Sequence, residues 1–148
     1  MRSRLPFAID EALSSKLDAV LAYWRALRRG EASIPFADDI DIAAIRALCP
    51  DVFILSVFEK PERFRLDLAY APYAPRIESE LQGRFIDEFD LSSPLDYLRA
   101  QADAAVVGLA PTYYRHTPSG AEAAYGRLLL PTWGEGQVKL LLGAIEPL

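Results

Sequence analysis

The stretch AYGRLLLPTWGEGQVKLLLGAI, residues 124–145, consists of two apolar runs of strand length on either side of a short glycine-rich turn. The Gly134-Glu135-Gly136 segment provides the backbone freedom that a chain reversal requires. The pattern therefore predicts an antiparallel hairpin in the middle of a sheet. We assign its apolar side chains to two faces, Tyr125, Leu129, Val138, Leu140 and Leu142 on one and Leu128, Leu130, Leu141 and Ile145 on the other.

The bulk composition is that of one ordinary globular domain. The chain has 148 residues, 51% of them hydrophobic and 25% charged, and this length suffices for a single core. Its net charge of −5 argues against binding to nucleic acid or to an anionic membrane surface, since both depend on Lys and Arg. Cys49 is the single cysteine, the first residues do not resemble a signal peptide, and every apolar run is too short to span a bilayer. We therefore expect a cytoplasmic protein.

The first predicted helix covers residues 10–30. Asp10 and Glu11 suit the positive end of the helix dipole, and Gly30 is placed to follow the last turn. Apolar residues recur at helical spacing along one stripe: Leu13, Leu17, Val20, Leu21, Trp24 and Leu27. The arginines of the last turn, Arg25, Arg28 and Arg29, either complement the dipole or contact an anion or partner.

A group of three carboxylates follows, on Asp38, Asp39 and Asp41. Such a group could bind a metal, but Asp39 or Asp41 is more simply the N-cap of a short helix that ends at Pro50. Cys49 lies in the last turn of that helix. We interpret it as a buried small side chain, because the local sequence contains nothing that would lower the pKa of its thiol.

Two strands come next. The continuous apolar run Val52–Phe58 predicts a strand buried on both faces, and residues 63–70 alternate, with Arg63, Arg65 and Asp67 outward. The inward set is Phe64, Leu66, Leu68 and Tyr70.

After an irregular segment and a short helix around Phe85 and Phe89, a longer helix is predicted. Ser93 would be its N-cap, Pro94 its first residue and Gly108 its stop. Residues 112–116 then form a strand of β-favouring types that includes His116, the single histidine.

Antiparallel strands interrupted by a helical insert indicate an α+β fold. We predict a five-stranded antiparallel sheet with short helices on one face and an N-terminal helix. The same order of elements also fits the cone-shaped α+β proteins related to ketosteroid isomerase, as a small pocket enzyme or a carrier. Such an enzyme would use Tyr and Asp in a pocket, whereas Asp67 is predicted to point outward.

Several segments, in order, resemble a family of bacterial single-domain PAS proteins. The matching stretches are LAYWRALRRG at residues 21–30, Phe64-Arg65-Leu66, Leu81-Gln82-Gly83-Arg84 and YGRLLLP at residues 125–131. The resemblance implies a tail at residues 1–9 and one PAS-like domain at residues 10–148, with its core at residues 51–146. The family usually has Gly-Thr after its second strand, and this chain has Tyr70-Ala71 there.

The resemblance implies a sensing or protein-interaction module, and such domains hold haem, flavin or a metabolite, or no ligand. Haem is not expected, because His116 lies on a strand and not on a cavity helix. Flavin photochemistry is not expected, because Cys49 precedes the first strand. One His and one Cys in different elements form no catalytic triad, so we expect neither a cofactor nor catalysis.

A cavity of the PAS type would bind a small apolar ligand. Its expected lining is Tyr70, Phe85, Phe89, Tyr97 and Leu98. We also expect a homodimer, formed through Leu17, Leu21 and Trp24 of the first helix, and a signalling protein as a further partner.

Overall fold

The computed structural model describes residues 5–60, 62–118, 120 and 123–148. Its helices are α1 (Ser15–Ala26), α2 (Ile42–Leu48) and α3 (Leu98–Gly108), with single-turn helices at Ala37–Asp39, Ile77–Leu81 and Ile86–Glu88. Its strands are β1 (Val52–Phe58), β2 (Arg63–Tyr70), β3 (Thr112–His116), β4 (Tyr125–Gly134) and β5 (Gln137–Pro147). They form one antiparallel sheet in the order β2-β1-β5-β4-β3.

The predicted hairpin is confirmed, since β5 is the central strand and β4 lies beside it. Glu135 and Gly136 both have positive φ, +53° and +81°, as a two-residue turn between twisted strands requires. The predicted distribution of side chains between its faces was wrong. Leu129 lies opposite Gly143, and Leu130 opposite Leu142. Alternation defines the two faces of each strand separately, whereas the turn and an irregularity at Thr132 and Trp133 set the register between strands.

We call the face of the sheet that carries Arg127 the inner face, and the opposite one the outer face. The register assigns Tyr125, Leu129, Leu141 and Ile145 to the inner face and Leu128, Leu130, Leu140 and Leu142 to the outer face. Helix α3 covers the inner face, because its Gln101 is hydrogen-bonded to Arg127. Residues 125–132 of β4 are buried on both faces, and α1 contacts β4 and β5. Helix α1 therefore covers the outer face.

Helix α1 is held to the sheet by its apolar stripe. The Nε1 of Trp24 donates a hydrogen bond of 2.9 Å to the carbonyl of Pro131. Leu17, Leu21 and Trp24 are 0%, 3% and 1% exposed. The three side chains predicted to form a dimer surface are thus buried within their own chain. The apolar stripe indicated that this face of the helix is buried, but a stripe does not identify the surface that buries it.

Helix α1 also begins later than predicted, at Ser15 and not at Asp10. The preceding residues follow the edge of β3. The N–H of Tyr113 donates to the carbonyl of Phe7 at 2.8 Å, and Arg115 forms an ion pair with Glu11 at 3.0 Å. Glu11 therefore contacts a strand and takes no part in the dipole of α1.

A bulge changes the alternation predicted for β2. Ile54 lies opposite Leu68, but the next residue of β1, Leu55, lies opposite Leu66, so Asp67 is the extra residue. As a result Leu68 and Tyr70 lie on the outer face, not on the inner face with Leu66. Strand β1 is also not buried on both faces throughout, because Ile54 and Ser56 are partly exposed there.

The helix predicted to start at Ser93 begins only at Leu98. Residues 92–97, which we call the roof, form turns, and Tyr97 has a left-handed backbone with φ +59°. The carbonyls of Pro94 and Asp96 are hydrogen-bonded to Arg127 and not to a following helical turn. A long-range contact has therefore overridden a local capping signal.

The acidic group before α2 has two separate roles. Asp41 is the N-cap of α2 and accepts a hydrogen bond from the N–H of Ala43 at 3.0 Å, as predicted. Asp39 forms a two-pronged ion pair with Arg29, at 2.7 and 2.9 Å. Among the described residues there is no group of His, Cys, Asp or Glu arranged to hold a metal ion.

Cys49 follows α2 directly and is 1% exposed. Its burial confirms the interpretation of Cys49 as a buried small side chain, and the same burial raises the pKa of its thiol. In the part of the chain that the structure describes, no helix is long and apolar enough to cross a membrane.

Candidate functional site

Arg127 is the third residue of β4 and is 0% exposed. Its guanidinium donates three hydrogen bonds: from Nε to Oε1 of Gln101 at 2.9 Å, from Nη1 to the carbonyl of Pro94 at 2.9 Å, and from Nη2 to the carbonyl of Asp96 at 2.7 Å. One buried side chain thus connects the central hairpin, α3 and the roof.

These three acceptors of Arg127 are all neutral. The carboxylate of Asp96 lies close by but accepts a hydrogen bond from the hydroxyl of Tyr125 at 2.7 Å. Burial lowers the pKa of Arg127 to about 10, so the guanidinium keeps its charge at neutral pH. The fold therefore buries a cation that makes its hydrogen bonds to dipoles and not to a carboxylate.

Aromatic side chains of β3 and β4 share the inner face with Arg127. The ring of Tyr114 lies 5.1 Å from it, and the rings of His116 and Tyr125 are stacked at 4.9 Å. Nδ1 of His116 lies 2.9 Å from the hydroxyl of Tyr114 and 3.9 Å from the Asp96 carboxylate. Burial raises the pKa of Tyr114, and burial followed by the hydrogen bond to Asp96 raises that of Tyr125. Both phenols are therefore protonated at physiological pH.

The roof covers this cluster from the side of α3. Tyr97 places its ring 5.6 Å from that of Tyr114, edge to face, yet its side chain is 65% exposed. The next residue, Leu98, is the first of α3 and is fully buried. A change in the position of the roof would therefore act directly on the start of α3.

The five residues predicted to line an apolar pocket do not share one environment. Tyr70 lies on the outer face beneath the guanidinium of Arg46, at 3.6 Å, because the bulge reverses its direction. Their other neighbours also differ: Phe85 contacts Arg63, Phe89 contacts Arg84, Tyr97 contacts Tyr114, and Leu98 lies in the core. Among the five, Tyr97 contacts the cluster around Arg127, through the ring of Tyr114.

Sequence reasoning did not identify Arg127 or Gln101 as functional residues. The available signal was a charged residue inside the apolar run YGRLLLP, since a cation in a buried strand must have partners.

A second group of side chains lies on the outer face, where β1 ends and β2 begins. We call it the outer patch: Phe58, Arg63, Arg65 and Phe85. The two rings lie 5.3 Å apart, and the guanidinium of Arg63 stands 3.7 Å from the ring of Phe85. Arg63 also forms an ion pair with Asp87 at 2.8 Å. Arg65 forms one with Asp67. The outer patch is half-exposed and carries no net charge once its two aspartates are counted.

Asp67 is partly exposed and accepts hydrogen bonds from Arg65 and Ser56. Burial opposes its ionisation, but these hydrogen bonds outweigh that effect and lower its pKa. Asp67 is thus an ionised partner of arginine, in agreement with its predicted outward direction.

One further carboxyl group titrates near neutral pH. It belongs to Glu62, in the β1–β2 turn, and is hydrogen-bonded to Asp103 of α3. The hydrogen bond between the two carboxyls, followed by burial, raises the pKa of Glu62 to about 7, although Arg99 opposes the shift. Since the pKa in the folded state exceeds the ordinary 4.5, the stabilising contribution is complete below about pH 4.5 and is lost as the pH rises through about 7.

We therefore expect the stability of Glu62→Gln, measured relative to the wild type, to be greater at about pH 8 than at about pH 5. The reason is that the wild type loses the proton shared by Glu62 and Asp103 as the pH rises to about 8. Urea unfolding at both pH values measures the difference. Glu78→Gln, the same substitution at an exposed position in the single-turn helix Ile77–Leu81, is the matched control. A pH-independent difference for Glu62→Gln would contradict the assignment.

In a scan against protein-family models, residues 13–146 match the model of the PAS domain. A search of curated proteins finds no match. Among solved structures, the fold is similar to the crystal structure of a sensory box sensor histidine kinase from Vibrio cholerae, with 13% sequence identity and a TM-score of 0.49. That alignment covers 89% of this chain and 97% of the other. The family match and the sheet order confirm the predicted α+β fold of the PAS type.

Proposed function

Because this chain belongs to the PAS domain family, a family of sensing and signalling modules, we propose that it signals through contact between two copies of the chain at the outer patch. It has no catalytic activity of its own. The observation that carries this proposal is that aromatic side chains are half-exposed on the outer face, where β1 ends and β2 begins.

The environments of Cys49 and His116, the two side chains best suited to nucleophilic or acid–base catalysis, support the absence of catalysis. Cys49 is buried and its pKa is raised, which disfavours the reactive thiolate. His116 is stacked on Tyr125 and lies within hydrogen-bond distance of the Tyr114 hydroxyl, in a different part of the sheet.

The position of the outer patch suits a contact with a second copy. Helix α1 covers the outer face at β4 and β5, and α2 places Arg46 over Tyr70 at one end of β2. The edge of β2 that faces away from β1 is already paired. There Leu66 exchanges backbone hydrogen bonds of 2.6 and 2.9 Å with residues 83 and 84. A partner would therefore pack against the face of the sheet and not against its edge.

The chemistry of the outer patch also favours a copy of the same chain. A two-fold interface places the same surface on both sides, so that surface must be complementary to itself. The outer patch combines two aromatic rings with paired positive and negative groups, so each copy offers rings for stacking and opposite charges for pairing.

The test is to place a carboxylate in the outer patch. We expect the wild type to show twice the chain mass in analytical ultracentrifugation across a concentration series. Phe58→Glu should show the mass of one chain with an unchanged circular dichroism spectrum, since Phe58 is 36% exposed and tolerates a polar side chain. The matched control is Val107→Glu, at a 76% exposed position on α3, and it should remain dimeric. A monomeric wild type, or a dimer unaffected by Phe58→Glu, would refute the proposal.

A further inference from the structure

We infer that Arg127 is the centre of a binding site for a small organic carboxylate, and that two carbonyl groups of the roof hold the positions of the carboxylate oxygens in the closed arrangement. This site lies on the inner face and uses no residue of the outer patch. It adds an input to the proposed signalling function but does not depend on the dimer.

The hydrogen bonds of Arg127 are divided in a way that suits such an exchange. Nε is bound to Gln101, a residue of α3 that also donates to the hydroxyl of Thr112 and to the carbonyl of Arg127. This side of the guanidinium is fixed by buried, regular structure. The two terminal nitrogens instead bind the roof, one carbonyl each, at 2.9 and 2.7 Å.

Two oxygens on the two terminal nitrogens reproduce the arrangement of a carboxylate on arginine. Such pairs form two parallel hydrogen bonds of about 2.7–2.9 Å. The carbonyls of Pro94 and Asp96 supply two oxygens at these distances, from two residues of an irregular segment. A ligand carboxylate would make the same two bonds and add the charge that the carbonyls lack.

The charge balance couples opening of the roof to binding. Asp96 lies on the roof itself, and its carboxylate, which accepts a hydrogen bond from Tyr125, adds a small attraction that favours the charge on Arg127. If the roof moved away alone, the buried guanidinium would lose two acceptors and its nearby negative charge together, which is strongly unfavourable. A carboxylate that enters restores all three. The open arrangement is thus stabilised by an anion and by little else.

The surroundings select an organic anion. Opening would release the hydroxyl of Tyr125 from Asp96, and this hydroxyl with that of Tyr114 could donate to the same carboxylate. The rings of Tyr114, Tyr125 and His116 would pack against carbon atoms of the ligand. Inorganic phosphate has no apolar part for these rings, and it retains more of its hydration.

The contact between Tyr97 and Tyr114 helps to hold the roof closed. Because Tyr97 is 65% exposed, its removal should weaken the closed arrangement without opening a cavity in the core. An aromatic pair of this kind corresponds to a factor of about 2 to 10 in an equilibrium constant. The apparent affinity for a carboxylate should rise by the same factor in Tyr97→Ala.

The experiment is calorimetric titration of the full chain with acetate, succinate and benzoate, each against its neutral amide and against inorganic phosphate at equal ionic strength. We expect at least one carboxylate to bind at least about tenfold more tightly than its amide and than phosphate. Arg127→Lys keeps the charge but lacks the fork of two terminal nitrogens, and should weaken binding by about tenfold or more. Tyr97→Ala should strengthen binding, and Tyr70→Ala, on the outer face, should leave it unchanged.

Carboxylates that bind no better than their amides would overturn the inference. So would equal affinities of the wild type and Tyr97→Ala, a comparison that stands even if Arg127→Lys fails to fold. Phosphate that matches the best carboxylate would show a general anion site and would overturn the assignment to an organic ligand. Phe58→Glu should bind carboxylates as the wild type does, so failure of the dimer and failure of this site are distinguishable.

Discussion

Replacing Arg127 by methionine is expected to lower the free energy of unfolding by about 3–5 kcal/mol, although the two side chains are similar in length. The change leaves the carbonyls of Pro94 and Asp96 and the amide oxygen of Gln101 without their charged donor. A buried acceptor that loses its partner costs about 1–3 kcal/mol, and release from burying a guanidinium offsets part of the sum. The roof should lose its order together with the start of α3.

Urea unfolding followed by circular dichroism measures this effect. Arg115→Met is the matched control, because Arg115 lies on the adjacent strand β3, is largely exposed and forms one surface ion pair with Glu11. It should change stability by about 1 kcal/mol at most. Equal effects of the two substitutions would mean that the contacts of Arg127 contribute nothing beyond those of a surface arginine.

Replacing Trp24 by alanine is expected to lower the free energy of unfolding by about 3–5 kcal/mol. Trp24 is 1% exposed and anchors α1 to the sheet, and the substitution removes both its ring and the hydrogen bond to Pro131. Trp24→Phe keeps most of the ring contact and loses the hydrogen bond, so it should cost clearly less, about 1–2 kcal/mol. The expected order of stability is therefore wild type, phenylalanine, alanine.

The same denaturant titrations, together with sedimentation, separate this role from a contact between subunits. If Trp24 is buried within its own chain, Trp24→Ala should lower the unfolding midpoint of the monomeric variant Phe58→Glu as much as it lowers that of the wild type. A Trp24→Ala protein that keeps its stability but changes its mass would instead assign Trp24 to an interface.

The elements whose signals are local were predictable from the sequence. The hairpin of β4 and β5 follows from two apolar runs and a turn at Glu135-Gly136, where both backbones require positive φ. The start of α2 follows from Asp41, which caps the helix two residues away. The buried stripe of α1 follows from the 3.6-residue period. Together with the order of the elements, these signals led to the predicted α+β fold, and the family resemblance of segments such as residues 21–30 and 125–131 implied its PAS type.

The candidate site was not predictable in the same way. The roof carries a capping pattern at Ser93 and Pro94, and only the contact of its carbonyls with Arg127, some thirty residues later, shows why no helix forms there. Tyr70, one of the five residues predicted to line a pocket, lies on the outer face because Asp67 bulges and turns the last residues of β2 to that face.

The sequence by itself determined where most of the helices and strands lie and which face of α1 is buried, because caps, turns and periodicity act over a few residues. Tertiary structure alone decided which surfaces meet. It placed Leu17, Leu21 and Trp24 against the chain's own sheet, set the register that puts Leu130 opposite Leu142, and brought Gln101 and the roof to Arg127. These contacts join residues far apart in the chain, and their geometry depends on the packing of all the elements at once.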